Sequence, residues 1–459
     1  MRNVLRTLLC TLAMVPIATA ADGTAVTFNR DVAPIIFASC TSCHRAGEVA
    51  PFPLQSYDDC ATRGKQIASV VESRYMPPWK AEPGHGEFHG SRRLTEEQIK
   101  TIRKWVDGGK VEGDSKDLPP APKFPDGWML GTPDLVLKMP EPFTVPAEGR
   151  DVYRNFVIPT GVTEDKHVTA VEYRPSNRRV VHHAIFFLDN SGAARKKDAA
   201  DKAPGFTSFG GPGFIPSGGL GGWAPGAFPR FLPDGTGQLL RKNADLVVQT
   251  HFHPTGKEEQ EQSTIGIYFA KKTPEKTIVG LTLRNRNIDI PPGEKNYRIS
   301  ASQTLPVDTD LLGITPHAHL VCREMKATAT LPDGSKKPLI WIKDWDFNWQ
   351  EQYLYAKPLQ LPAGTKLDME YVYDNSDENI RNPSNPPKRV RHGEQTTDEM
   401  ALLFLQAVPR EVKDAGRLRM AALGGLMGNR AGAKTMRAAA AASCWKRCRS
   451  ALTRTAMES

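Results

Sequence analysis

Three short stretches place paired imidazoles inside runs that read as β-structure: Val181-His182-His183-Ala184, Thr250-His251-Phe252-His253 and Pro316-His317-Ala318-His319. Six of the chain's 11 histidines lie in them. The first stretch sits among β-branched and aromatic residues, the signature of a buried strand. Residues two apart share a strand face, so a His-x-His can aim both rings at one point. Neighbours such as His182 and His183 face opposite ways in a regular strand. Both can reach one ion only where the strand twists or bulges. One such pair is commonly structural. Three together point to metal, because buried imidazoles need polar partners and an ion supplies one.

A second constellation lies near the N-terminus. Cys40-Thr41-Ser42-Cys43-His44 is the attachment signal of a c-type haem: two thioethers fix the porphyrin and the histidine gives the proximal nitrogen. A zinc half-site or a disulfide would use the same residues, but no second cysteine pair lies nearby. Met76, in Tyr75-Met76-Pro77-Pro78-Trp79, is the expected sixth ligand, since two prolines stiffen the loop that would hold its sulfur to iron. His85 and His89 are its rivals, in a Gly-rich polar loop expected to be exposed. One covalently attached haem c is therefore expected on Cys40, Cys43, His44 and Met76.

These residues need elements to position them. Asn29 is expected to cap a short helix through Ile35 and Ile36 that leads into the cysteines. Thr95 and Gln98 form a capping box for a helix to Val106, with Ile99, Ile102 and Val106 on one face and Gly108-Gly109 ending it. That is the plan of a small all-α cytochrome c over residues 21–113. Residues 114–129, with four prolines, read as a semi-rigid linker. From about 130 to 408 the pattern changes to short alternating runs broken by Pro, Gly, Asn and Asp, as in Asp134 to Lys138 and Leu367 to Tyr373. This predicts two β-sandwich, jelly-roll-like domains, over 130–272 and 273–409. Gly205 to Gly226 holds nine glycines without the Gly-Lys-Ser/Thr of a phosphate loop, and is expected to pack beside the metal region.

The N-terminus reads as a secretory signal over 1–20, with Arg2 and Arg6, an apolar run and Ala18-Thr19-Ala20 as cleavage site. No later stretch is long and apolar enough to span a membrane. An exported protein, periplasmic or secreted, is expected. The net charge of +9 is concentrated at one end: from Arg410 onward 11 basic residues meet 3 acidic ones, so the remainder is nearly neutral. No basic stripe argues for nucleic acid. Residues 410–459 are Ala- and Arg-rich, and are expected to be a disordered or loosely helical, dispensable tail. Cys60, Cys322, Cys444 and Cys448 leave a disulfide open but are too few for a disulfide scaffold.

The ordered set His182-His183, His251, His317-x-His319 and Met400, the last in Asp398-Glu399-Met400, resembles the copper type II, ascorbate-dependent monooxygenases, the family of peptidylglycine α-hydroxylating and dopamine β-monooxygenases. The resemblance covers about residues 130–408. It implies two copper ions: His182, His183 and His251 would hold an electron-transfer copper, while His317, His319 and Met400 would hold the oxygen-activating one. His253 is not needed by that pattern. A thioether favours Cu(I) over zinc, which agrees with copper. The fused haem unit is absent from the animal enzymes of the family. What the resemblance implies is hydroxylation of a C–H bond of an unknown small molecule by O2, with an external electron donor; that the haem feeds the three-histidine copper is an expectation resting only on the fusion. A non-catalytic electron-transfer or copper-binding protein would use the same ligands.

The resemblance also speaks to substrate. In the peptide-amidating relatives an arginine two residues before the His-x-His pair binds a carboxylate, with an asparagine and a tyrosine following the methionine. Those positions are Thr315, Leu402 and Phe404 here. A neutral or apolar substrate is expected, unless Arg323 replaces the clamp.

Overall fold

The computed structural model describes residues 25–427 apart from Gly47, Asp126, Phe209 and Gly210. The expected leader at 1–20, and Cys444 and Cys448, lie outside them. The chain divides into two compact units, Met1–Pro77 with Arg93–Pro122, and Pro78–Arg92 with Lys123–Ser459.

The first unit is helical. Helices Ala33–Ser39, Tyr57–Thr62, Gly64–Glu72 and Glu96–Asp107 surround a core that includes Phe28, Ile36, Cys60, Ala68, Ile102 and Trp105. The closing helix has the expected capping box: Thr95 accepts from the Gln98 amide, and the Gln98 side chain accepts from the Thr95 amide. Its buried face is Ile99, Ile102, Trp105 and Val106. Asn29 does not cap a helix. It lies inside the helical turn Phe28–Val32, buried, with its side-chain amide donating to the carbonyls of Gly113 and Asp114. The chain leaving the closing helix passes close enough for its carbonyls to take both side-chain donors, whereas a cap would use the side-chain oxygen as an acceptor.

The second unit is almost all β. Its first half carries two large sheets. One has the order Leu135–Lys138, Thr264–Phe269, Lys166–Arg174, Thr236–Leu240, Lys276–Thr277; the other Val152–Pro159, Asp245–Phe252, Val181–Asp189, Gly218–Trp223. Its second half repeats the plan, with Val279–Arg284, Leu402–Pro409, Thr309–His317, Tyr353–Leu361 in one sheet and Tyr297–Thr304, Lys366–Tyr373, Cys322–Thr330, Lys336–Ile342 in the other. Each half encloses its own apolar core, the arrangement of a β-sandwich. The β-sandwich expectation is thus met at the level of architecture.

Two boundaries differ from the expected ones. Residues 78–92, read from sequence as part of the haem domain of 21–113, pack on the β unit. Ala81 bridges Ile342 and Phe88 bridges Tyr355; Trp79 meets the Tyr353 ring edge-on at 5.1 Å. Burying two aromatic side chains there is worth several kcal/mol, about 1.5–3 each. His85 consequently lies half-buried against Trp341, 4.8 Å between rings, rather than free in a loop. The second difference is the tail. Ala415–Met427 is a helix with Leu418 and Ala422 buried in the second core and the Ala421 carbonyl accepting from Gln303. Those two apolar residues, one helical turn apart, fix it to the sheet. The rest of the tail lies outside the described residues.

Candidate metal centre

His183 and His251 are directly opposite each other on the central antiparallel strands Val181–Asp189 and Asp245–Phe252. The ladder pairs Val181 with Phe252 and then His183 with His251, so His182 is the extra residue of a β-bulge. The bulge turns both neighbours to one side, as two adjacent ligands require. The Nδ1 atoms of His182 and His183 are 3.2 Å apart, against roughly 3.3 Å for the edge of a tetrahedral zinc-like site with bonds near 2 Å. Ligand atoms of His182, His183 and His251 all lie within 4.8 Å of one another. Among the described residues this is the one such group of three or more His, Cys, Asp or Glu. The strand Gly218–Trp223 covers the bulged strand's other edge, and glycine is required at 222, where a Cβ would stand 2.7 Å from the Ala184 carbonyl oxygen. The Gly-rich stretch therefore does pack beside the histidines, partly as a strand.

His317 ends the strand Thr309–His317 and His319 follows two residues later. Their Nδ1 atoms are engaged: His317 with Gln350 Oε1 at 2.5 Å, His319 with the Asp398 carbonyl at 3.1 Å. That leaves Nε2 of each ring as the ligand atom, a second contact of the kind that fixes tautomer and orientation in metal sites. Met400 follows Asp398 by two residues and precedes the strand Leu402–Pro409, whose Leu402 pairs with His317. Its backbone is held from two sides: the carbonyl accepts from Tyr373 and the amide donates to Glu399.

Burial is the main influence on every ring. It lowers His182 to about 3 and His317 to about 4, holds His183 and His319 well below the usual histidine range, and lowers His251. Neutral rings offer lone pairs, which is what a metal needs. Nε2 of His182 and both ring nitrogens of His251 are buried without an aligned hydrogen bond, and a lone acceptor so placed is costly unless a ligand meets it. These donors fit copper.

Three further residues support this region. Asp151 has one oxygen 3.3 Å from His251 Nε2 and the other 2.7 Å from His253 Nδ1. Burial raises its carboxyl, but the contacts to both histidines prevail and hold it well below the usual range. His253 itself is exposed and sits outside the ligand group. Phe347 stacks on His182 at 4.3 Å and meets His319 edge-on at 5.7 Å. Glu399 is fully buried, and its carboxylate accepts from the amides of His319, Val321, Cys322 and Met400. Burial pushes it up to about 8, against those four donors. Where the resemblance compares substrate-binding positions, Thr315 pairs with Phe404 in the sheet. Arg323 is turned to Asp374 and Asn379.

In the first unit, Cys43 and His44 close a turn on the Cys40 carbonyl. The His44 Nδ1 lies 3.0 Å from the Phe52 carbonyl, with the Phe52 ring 4.9 Å away. Burial lowers His44 and pushes the Cys40 and Cys60 thiols up to about 12. The Met76 amide donates to Val70 at the end of the helix Gly64–Glu72. Cys60 is buried, as a structural thiol would be.

No protein-family model matches the chain, and no curated protein matches it. Among solved structures it is similar to the VP2 subviral particle of infectious bursal disease virus, at 11% identity over 62% of this chain and 73% of that one, TM-score 0.20. It is also similar to the major capsid protein P2 of bacteriophage PM2, at 9% identity over 56% and 97%, TM-score 0.23. A third is PNGF-II, at 10% over 61% and 66%, TM-score 0.25. Likenesses this slight say nothing of function.

Proposed function

We propose that this chain is an exported copper monooxygenase with a fused c-type haem unit, hydroxylating a C–H bond of a small neutral or apolar substrate. The observation that carries the reading is the group formed by His182, His183 and His251, in which Nε2 of His182 and both ring nitrogens of His251 are buried without an aligned hydrogen bond, with His317 and His319, like them, held below the usual histidine range by burial. The reaction balances as R–H, O2, two electrons and two protons giving R–OH and water, with an external one-electron donor supplying the electrons. Copper, when bound, supplies the oxygen and one-electron chemistry. The chain's own residues do the rest. His182, His183 and His251 hold one ion; His317 and His319, through Nε2 and with Met400, hold the other. Gln350 and the Asp398 carbonyl fix the second pair's orientation, and Phe347 shields the rings from water. In the helical unit, Cys40 and Cys43 would carry the porphyrin. His44, its Nδ1–H donating to the Phe52 carbonyl, would hold the iron through Nε2, and Met76 would supply a second ligand. Haem passing electrons to the three-histidine copper is part of the proposal and rests on the fusion.

The test is substrate-dependent O2 uptake by the copper-loaded, reduced protein in a metabolite mixture, with a product one oxygen heavier. Met400→Ile should abolish uptake while the three-histidine copper stays loaded. Copper and haem that cycle between redox states with no uptake from any mixture would make the chain an electron carrier instead.

A further inference from the structure

The resemblance assigns the two ligand sets separate roles on separate ions, but the rings stand much closer than that division suggests. With a metal–nitrogen bond of about 2 Å, two imidazoles on one tetrahedral ion have centres roughly 5 Å apart. Within the first set the separations are 5.4 Å for His182–His183, 4.8 Å for His182–His251 and 4.9 Å for His183–His251. Within the second, His317–His319 is 5.3 Å. Across the sets, His183–His317 is 6.0 Å, edge to face. That approach is 0.6 Å wider than the widest separation inside a set.

Contacts of three kinds hold the sets at that distance. Phe347, from the second half, lies flat on His182 and against the edge of His319. The Tyr153 hydroxyl, from the first half, donates to the Glu394 carbonyl at 2.6 Å, and the Tyr153 ring stacks on His251 at 4.2 Å. Asp151, beside His251, accepts from the Thr396 amide at 3.3 Å, in the loop that leads to Met400. A ligand of the first set and the approach to the second are thus fastened to the same two residues.

We propose that the five histidines line one chamber that holds a pair of copper ions close enough for their electron spins to couple, rather than two isolated sites. This rests on the reading of these histidines as copper ligands. It changes what the site does: both electrons of the reaction are stored side by side.

The full chain is loaded with two equivalents of Cu(II), oxidised, and its electron paramagnetic resonance spectrum compared with that of the metal-free protein. Expected are two coppers per chain by elemental analysis, an integrated signal well below two spins and a half-field transition. His319→Ala should bind one copper and return a full single-spin signal without the half-field line. Two coppers with full two-spin intensity and no half-field line would overturn the chamber and leave the monooxygenase reading intact. One copper per chain in the wild type would overturn it too, and failure to bind copper at all would sink both. None of these readouts depends on turnover, so the two proposals fail separately.

Discussion

Glu399 shows how one side chain can hold a loop that bears ligands. Its two oxygens take four backbone amides across His319 to Cys322 and at Met400, so the turn after His317 cannot open without stranding them. Glu399→Gln offers one carbonyl oxygen in place of two and turns an NH2 toward the remaining amides. Either oxygen takes two of the four amides and each unsatisfied buried donor costs about 1–3 kcal/mol, so the variant should lose about 2–6 kcal/mol in urea unfolding. A variant as stable as the wild type would show the amides to be satisfied otherwise. The histidines were legible because imidazole is uncommon in apolar strands and recurs there at ligand spacing. Asp151, Phe347 and Gln350 were not: they are ordinary residues in the sequence, and their roles arise from partners 33 to 165 positions away.

At the level of elements, strands were easier to foresee than their neighbours. Alternation marks a half-buried strand locally, and the capping box marks a helix start locally, so Glu96–Asp107 and Lys366–Tyr373 stand where expected. The helix Ala415–Met427 escaped because its buried face is small, resting mainly on Leu418 and Ala422 amid alanine, glycine and arginine. Residues 78–92 escaped because their bridges to Ile342 and Tyr355 are long-range. The C-terminal helix gives a direct test. Leu418→Ala removes a fully buried side chain and should cost about 2–5 kcal/mol, and a chain ending at Arg410 should melt lower still. Unchanged melting of both would mean that the helix adds nothing to the sheet it covers.

For the whole molecule, the two cofactor readings fall in different units. Cys40, Cys43, His44 and Met76 belong to the helical unit, and all the proposed copper ligands to the β unit. A copper chelator should therefore lower the melting temperature of the β unit, since a ligand present at a hundred times its dissociation constant stabilises by about 2.7 kcal/mol. The haem absorbance, with the sulfur-to-iron band that Met76 would give, should stay unchanged. Loss of that band on chelation would place a haem ligand in the β unit. No helix among the described residues is long and apolar enough to cross a membrane, in keeping with the sequence, and export remains part of the proposed function.

The bulge at His182 can also be put in genetic terms. It is one codon in an otherwise regular ladder. Deleting that codon, rather than changing it, would let Val181 and His183 follow each other in the pairing as any two strand residues do. The sheet would lose an irregularity and the site a ligand. On the proposed reading, a sequence one residue shorter and without that ligand lies a single deletion away, and keeping the extra residue would be a requirement of the chemistry rather than of the ladder.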